Sequence, residues 1–107
     1  MTLRTEYGIM YKKGIIVYLD ERQGASVETR VAVIAIIVKD PSAAVEVNAL
    51  LHEYDRYIIG RMGVPYRAKG MNIISIAIDA PQDDINKLAG SIGRVDGVSA
   101  KTVNAPE

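Results

Sequence analysis

The chain has 107 residues, enough for one domain and not for two, and 49% of them are hydrophobic, so a sizeable core can be buried. It contains no Cys, which excludes disulfides, thiolate metal sites and thiol nucleophiles. Its 13 Lys and Arg balance 13 Asp and Glu, and a neutral domain lacks the clustered cations that hold a phosphate backbone.

Residues 1–28 differ in pattern from the rest of the chain. Residues 7–11 and 15–19 flank Lys12-Lys13-Gly14, the pattern of a β-hairpin, and residues 20–26 read as a polar linker. The favoured reading is a strand pair that covers a sheet edge or an open sheet face. The other two are an arm exchanged between subunits and an extension partly disordered in solution. Residues 2–6 are polar and 15–19 are too few for a signal-peptide core or a membrane span, so the expectation is a cytoplasmic protein without membrane contact.

From Thr29 the pattern is regular. Residues 31–38 form an unbroken apolar run rich in β-branched side chains, which predicts a central strand. Lys39-Asp40-Pro41 ends it, with Asp40 as an N-cap and Pro41 in a first helical turn. The helix is expected to run to about Tyr54, with Val47, Leu50, Leu51 and Tyr54 on one face. Residues 57–66 read as a second strand. Gly60, Gly63 and Pro65 interrupt it, which predicts an edge strand with a bulge or bend.

Ala68-Lys69-Gly70 is a turn. In residues 72–79, Ile74, Ile76 and Ile78 alternate with Ser75 and Ala77, the period of a third strand with one buried face. Asp79-Ala80-Pro81 repeats the helix-start signal ahead of a stripe of Ile85, Leu88, Ala89 and Ile92, with Gly93 as the C′ stop. Asp96-Gly97 is a turn, residues 98–103 are the last strand, and the tail from Asn104 is expected to fray.

Two βαβ units in series over residues 29–107 predict an α+β, ferredoxin-like βαββαβ sandwich. Its four-stranded antiparallel sheet has the order 4-1-3-2, with both helices on one face. In residues 31–38 both alternating sets are apolar, and Ile73 and Ala77 lie on the non-helix side of their strand. Either the central strands are simply hydrophobic, or the open face is covered. The second reading is preferred and implies a homo-oligomer, a dimer or tetramer.

His52 is the sole His, and no spaced His/Cys set accompanies it, so no metal site is assigned. It reads as an exposed or capping residue near a helix C-terminus, unless two copies meet across a symmetric interface. Catalytic sets are missing as well. Ser75 lies inside a strand, and the adjacent Asp83 and Asp84 suit a helix start better than acid/base work. Gly60-Arg61-Met62-Gly63 does not sit at a strand-to-helix turn, so it is no phosphate loop. The central strands carry no aromatic residue of the kind an RNA-reading sheet displays. The chain therefore reads as a binding protein and not an enzyme, with no direct nucleic-acid binding evident and its cofactor, if it takes one, unknown.

Residues 52–67 place Arg56, Arg61, Arg67 and three Tyr close together, with glycines that let the backbone approach something. They read as a ligand or subunit contact drawing on Arg61, Met62, Gly63, Tyr66 and His52, or as a bent edge strand with solvated arginines.

The run LHEYDRYIIGRMGVPYR, followed by GMNIISIAIDAPQDDINKLAGSIGRVDGVSAKTV, resembles the iron-only hydrogenase system regulators over residues 30–103. That resemblance implies an ACT-like domain, similar also to the sensor half of nickel-responsive repressors. It further implies a dimer or tetramer, a small-molecule effector at a subunit interface and a role in transcriptional regulation. The chain departs from the nickel repressors in having one His, no Cys and no DNA-reading half, and residues 1–28 lie outside the resemblance. The reading is a small oligomeric ligand-sensing module. The alternative is an adaptor that binds a partner protein by sheet-edge addition.

Overall fold

The structure is a computed structural model that describes residues 10–12, 15–17, 19–20, 25–26 and 28–106, with side chains from residue 28 onward. In the N-terminal part, β1 (Met10–Lys12) pairs antiparallel with β2 (Ile15–Val17), and β3 (Leu19–Asp20) with β4 (Ala25–Ser26). The remainder of the expected hairpin arm and linker lies outside the described residues.

The domain proper begins with β5 (Arg30–Val38). A 3-10 turn, Pro41–Ala43, leads into α1 (Ala44–Glu53). Then come β6 (Ile58–Tyr66), β7 (Met71–Ala80), α2 (Gln82–Gly93) and β8 (Val98–Asn104). The sheet order is β6-β7-β5-β8, antiparallel throughout, which is the expected 4-1-3-2 arrangement read from the other edge. No helix among the described residues is long and apolar enough to cross a membrane.

Period-2 alternation decides which side chains meet the helices. Ala32, Ile34, Ile36 and Val38 of β5 are buried, as are Ile74, Ile76, Ile78 and Ala80 of β7. They pack against Val47 and Leu51 of α1 and against Ile85, Leu88 and Ile92 of α2. Each fully buried aliphatic side chain contributes roughly 1.5–3 kcal/mol, so this one layer holds the domain together. The bulge expected in the edge strand falls between Ile58 and Gly60, where the register with β7 shifts by one residue.

Three local expectations are corrected. Asp40 does cap, its Oδ1 accepting from the Ser42 N–H, but Pro41 opens a 3-10 turn and the α-helix proper starts at Ala44. Gly93 is the last residue of α2 and not the C′ residue beyond it. The helix leaves through Arg94 in right-handed geometry, and the positive φ of 77° falls at Gly97 in the following turn. The tail does not fray at Asn104, because Asn104 pairs with Ala32 and the Ala105 N–H donates to the Val31 carbonyl at 2.9 Å. The ladder continues because β5 has an unused acceptor there.

Candidate functional site

Edge strand β6 carries most of the residues that the sequence singles out, and its pleat sends them to opposite sides. Arg61 pairs with Ile76 and Gly63 with Ile74, so both lie on the helix side of the sheet. Met62 pairs with Ser75 and Tyr66 with Met71, so these two lie on the open side. The five candidates therefore do not form one cluster. Alternation within a single strand forbids it.

On the helix side, the Arg61 guanidinium donates to Asn48 Oδ1 on α1. His52 lies four residues further along, on the same helical face one turn away, and is exposed. Gly63 leaves open space beside them, since a Cβ built there would meet no atom within 4 Å. Sequence reasoning missed Asn48. The available signal was its i−4 spacing from His52. Nearby, Arg56 stacks 4.6 Å from the centre of the Tyr57 ring and donates to its hydroxyl at 2.9 Å.

The open side is a continuous apolar surface, laid out in cross-strand rows by the register. One row runs Gly60, Ala77, Val33, Val103, and the next runs Met62, Ser75, Ala35, Lys101. A third runs Val64, Ile73, Ile37, Ser99, and a last short row pairs Tyr66 with Met71. Val33 is 41% exposed, Ile37 45% and Met62 59%, against 0% for Ile34 on the other side of the same sheet. Lys101, on the far edge strand, is the one charged side chain in these four rows. Large contiguous apolar patches of this kind are rare on a monomer without a binding role.

Asp79, expected as a helix-start residue, does a different job. The N-cap position of α2 falls to Pro81, with no side-chain cap. Asp79 lies on the open side of β7, two residues beyond Ala77 and opposite Val31 in the ladder, and is a buried polar side chain among the described residues. Desolvation pushes its carboxyl above the usual carboxylate range, and a hydrogen bond with Thr29 opposes the rise. Its Oδ1 has no protein partner among the described residues.

Because the folded-state value is raised, the cost of holding the charge is fully present above that value. It is relieved as pH falls toward the unfolded value near 3.8. Stability should therefore decline as pH rises through this window. Asp79→Asn should flatten that slope and stabilise the domain at neutral pH by about 1 kcal/mol. Urea midpoints taken across the acidic to neutral range check it, and an unchanged slope would contradict the assignment.

A shallow polar depression lies at the other end of the domain, lined by Asp40, Ser42, Glu46, Arg94 and Asp96. Asp40 already uses the Ser42 amide, which holds its carboxyl below the usual range and removes a donor that a phosphate would need. Among the described residues no three His, Cys, Asp or Glu side chains converge as a metal site.

Comparison with known proteins places these features. Residues 30–102 match the TM1266-like family, provisionally described as iron-only hydrogenase system regulators. The solved structure of the uncharacterized protein TM1266 from Thermotoga maritima is similar to this chain with a TM-score of 0.72 and 36% identity. It covers 74% of this chain and 100% of that chain. A formyltetrahydrofolate deformylase from Pseudomonas putida KT2440 has a TM-score of 0.53 at 18% identity, covering 71% of this chain and 29% of that one, and shares the fold alone. No curated protein matches.

Proposed function

We propose, since this chain belongs to the TM1266-like family, that it is a regulatory binding module of the iron-only hydrogenase system. It works by association and effector sensing in the cytoplasm and not by turnover of a substrate. The observation that carries this reading is the open sheet face. Four strands there present large half-exposed hydrophobic side chains, with Lys101 at the rim and the buried Asp79 at one end as the ionisable groups on that side. Such a surface is a poor place for acid/base or nucleophilic chemistry and a good one for a partner. Its ACT-like use as an effector sensor, and any action on transcription, belong to the same proposal.

The helix side of β6 supplies the polar contacts a small anionic effector would take, with Arg61 and His52 presenting cationic or donor groups beside the space at Gly63. The two sides of the strand then have separable roles. In a thermal-shift panel of amino acids, nucleotides and divalent metals, Arg61→Ala should abolish the shift produced by an effector. Tyr66→Ala should retain that shift while weakening self-association. Loss of the shift in Tyr66→Ala but not in Arg61→Ala would reverse the assignment. In cells, removing the protein should change iron-only hydrogenase activity several-fold, and unchanged activity would contradict the regulatory reading.

A second reading has its own observation. Among the described residues β6 pairs on one side only, so the outer edge of a nine-residue strand is left to accept another strand. An adaptor could bind a partner protein there by sheet-edge addition.

A further inference from the structure

We infer that the outer edge of β6 takes an extended acidic segment of a partner protein as an added strand. The acidic side chains of that segment lie on the helix side and its apolar ones on the open side. This rests on the sheet-edge reading and names the chemistry of the partner. The coverage of β6 carries it. Eight of its nine residues are exposed, whereas its neighbour β7 has one exposed residue in ten. The exposure is two-sided, because Arg61, Gly63 and Pro65 on the helix side are as open as Met62, Val64 and Tyr66 on the other. The helix layer covers β7 and leaves β6 bare. The opposite edge strand is treated differently, since Val98 and Ala100 of β8 pack partly buried against the core.

The backbone of this edge has a defined polarity. Pro65 lies inside the paired stretch, opposite Asn72, and Tyr66 still pairs with Met71 beyond it. A proline has no N–H, so an edge strand accommodates it where that N–H would face away from the sheet. Backbone groups alternate along a strand, so Arg61 and Gly63 share the orientation of Pro65. Their N–H groups donate outward, and the carbonyls of all three accept from outside. In an antiparallel addition these groups pair with residues whose side chains lie on the same side of the sheet as Arg61.

Charge selects the partner. The chain is neutral, but residues 56–78 hold Arg56, Arg61, Arg67 and Lys69 and no Asp or Glu. Arg61 stands in the middle of β6, and Arg67 and Lys69 lie in the 3-10 turn that follows it. A second copy added through the same edge would bring two such cationic sets together, which like charges oppose. An acidic segment is attracted. The Arg61 guanidinium carries five N–H donors, so the bond to Asn48 leaves others for a carboxylate. On the open side, Met62, Val64 and Tyr66 are 59%, 44% and 46% exposed, and apolar side chains of the added strand would extend those rows.

The test is fluorescence polarisation with the full chain and labelled peptides as long as β6, nine residues. A peptide of alternating Glu and Val should bind, and less tightly as salt rises. Its counterpart of Lys and Val should bind at least ~10-fold more weakly. Methylating the Glu backbone amides, which face β6 in the added strand, should abolish binding, and methylating the Val amides should leave it. Arg67→Glu should weaken the Glu peptide about 10-fold. Lys101→Glu makes the same charge change on the opposite edge strand and should leave binding unaltered. Equal binding of the Glu and Lys peptides would overturn the acidic partner and leave edge addition standing. Indifference to methylation of either set of amides, or binding of neither peptide, would overturn edge addition itself. Loss on methylating the Val amides instead would overturn the outward placement of Arg61 and Gly63. Tighter binding of a single-stranded oligonucleotide than of the Glu peptide would assign the cations to phosphate and overturn the peptide partner.

Discussion

Ile76→Ala is expected to lower the stability of the domain by about 3–4 kcal/mol. Ile76 is 0% exposed at the centre of β7, between β6 and β5, on the face covered by both helices. Removing three carbons there forfeits their transfer free energy and leaves a cavity that flanking strands, tied by ladders on both sides, cannot collapse into. In a domain of this size the total stability is of order 5–15 kcal/mol, so the variant should unfold at markedly lower urea or temperature. Ile73→Ala, three residues away on the same strand, is the contrast. Ile73 is 38% exposed on the open side, so the monomer should lose about 1 kcal/mol or less. Denaturation of both variants below the association concentration separates the two faces. Equal losses would mean that the open side is as tightly packed as the core.

Ile37→Asp should have the largest effect on association. Ile37 is 45% exposed on the open face, flanked by Ile73 and Ser99. In the monomer the new carboxylate stays in water and the fold is retained. In the dimer two carboxylates would be desolvated without cations, at a cost of several kcal/mol. The dissociation constant should rise by roughly 100-fold or more. Val45→Asp places the same charge on α1 at a position 78% exposed, and should change neither fold nor mass. If Ile37→Asp remained a dimer with parental affinity, the open face would not be the contact.

The architecture was legible because its signals are local and repeated. The alternating Ile74, Ile76 and Ile78, the stripe of Ile85, Leu88 and Ile92, and the two Asp/Pro punctuations each point to one element, and together they leave one sheet order. What stayed hidden depends on contacts between elements. Asp40 and Asp79 look alike in sequence, yet one caps a turn and the other is buried in the ladder opposite Val31, because Pro81 follows Asp79 at a distance of two and Pro41 follows Asp40 directly.

The candidate site was legible in its strand but not in its sides. Arg61 and Met62 are neighbours in sequence and opposite in space, and only the position of the bulge at Ile58/Gly60 decides which faces the helices. Asn48 offered only its i−4 spacing from His52, and its role follows from the Arg61 guanidinium that reaches it.

Native mass spectrometry of gently purified protein tests the central claim most directly, since it reports subunit number and retained small molecules together. A species of two copies, or a tetramer built from two such pairs, is expected, with any retained effector as added mass. A bare species at the 11.6 kDa chain mass at every concentration sampled would contradict it.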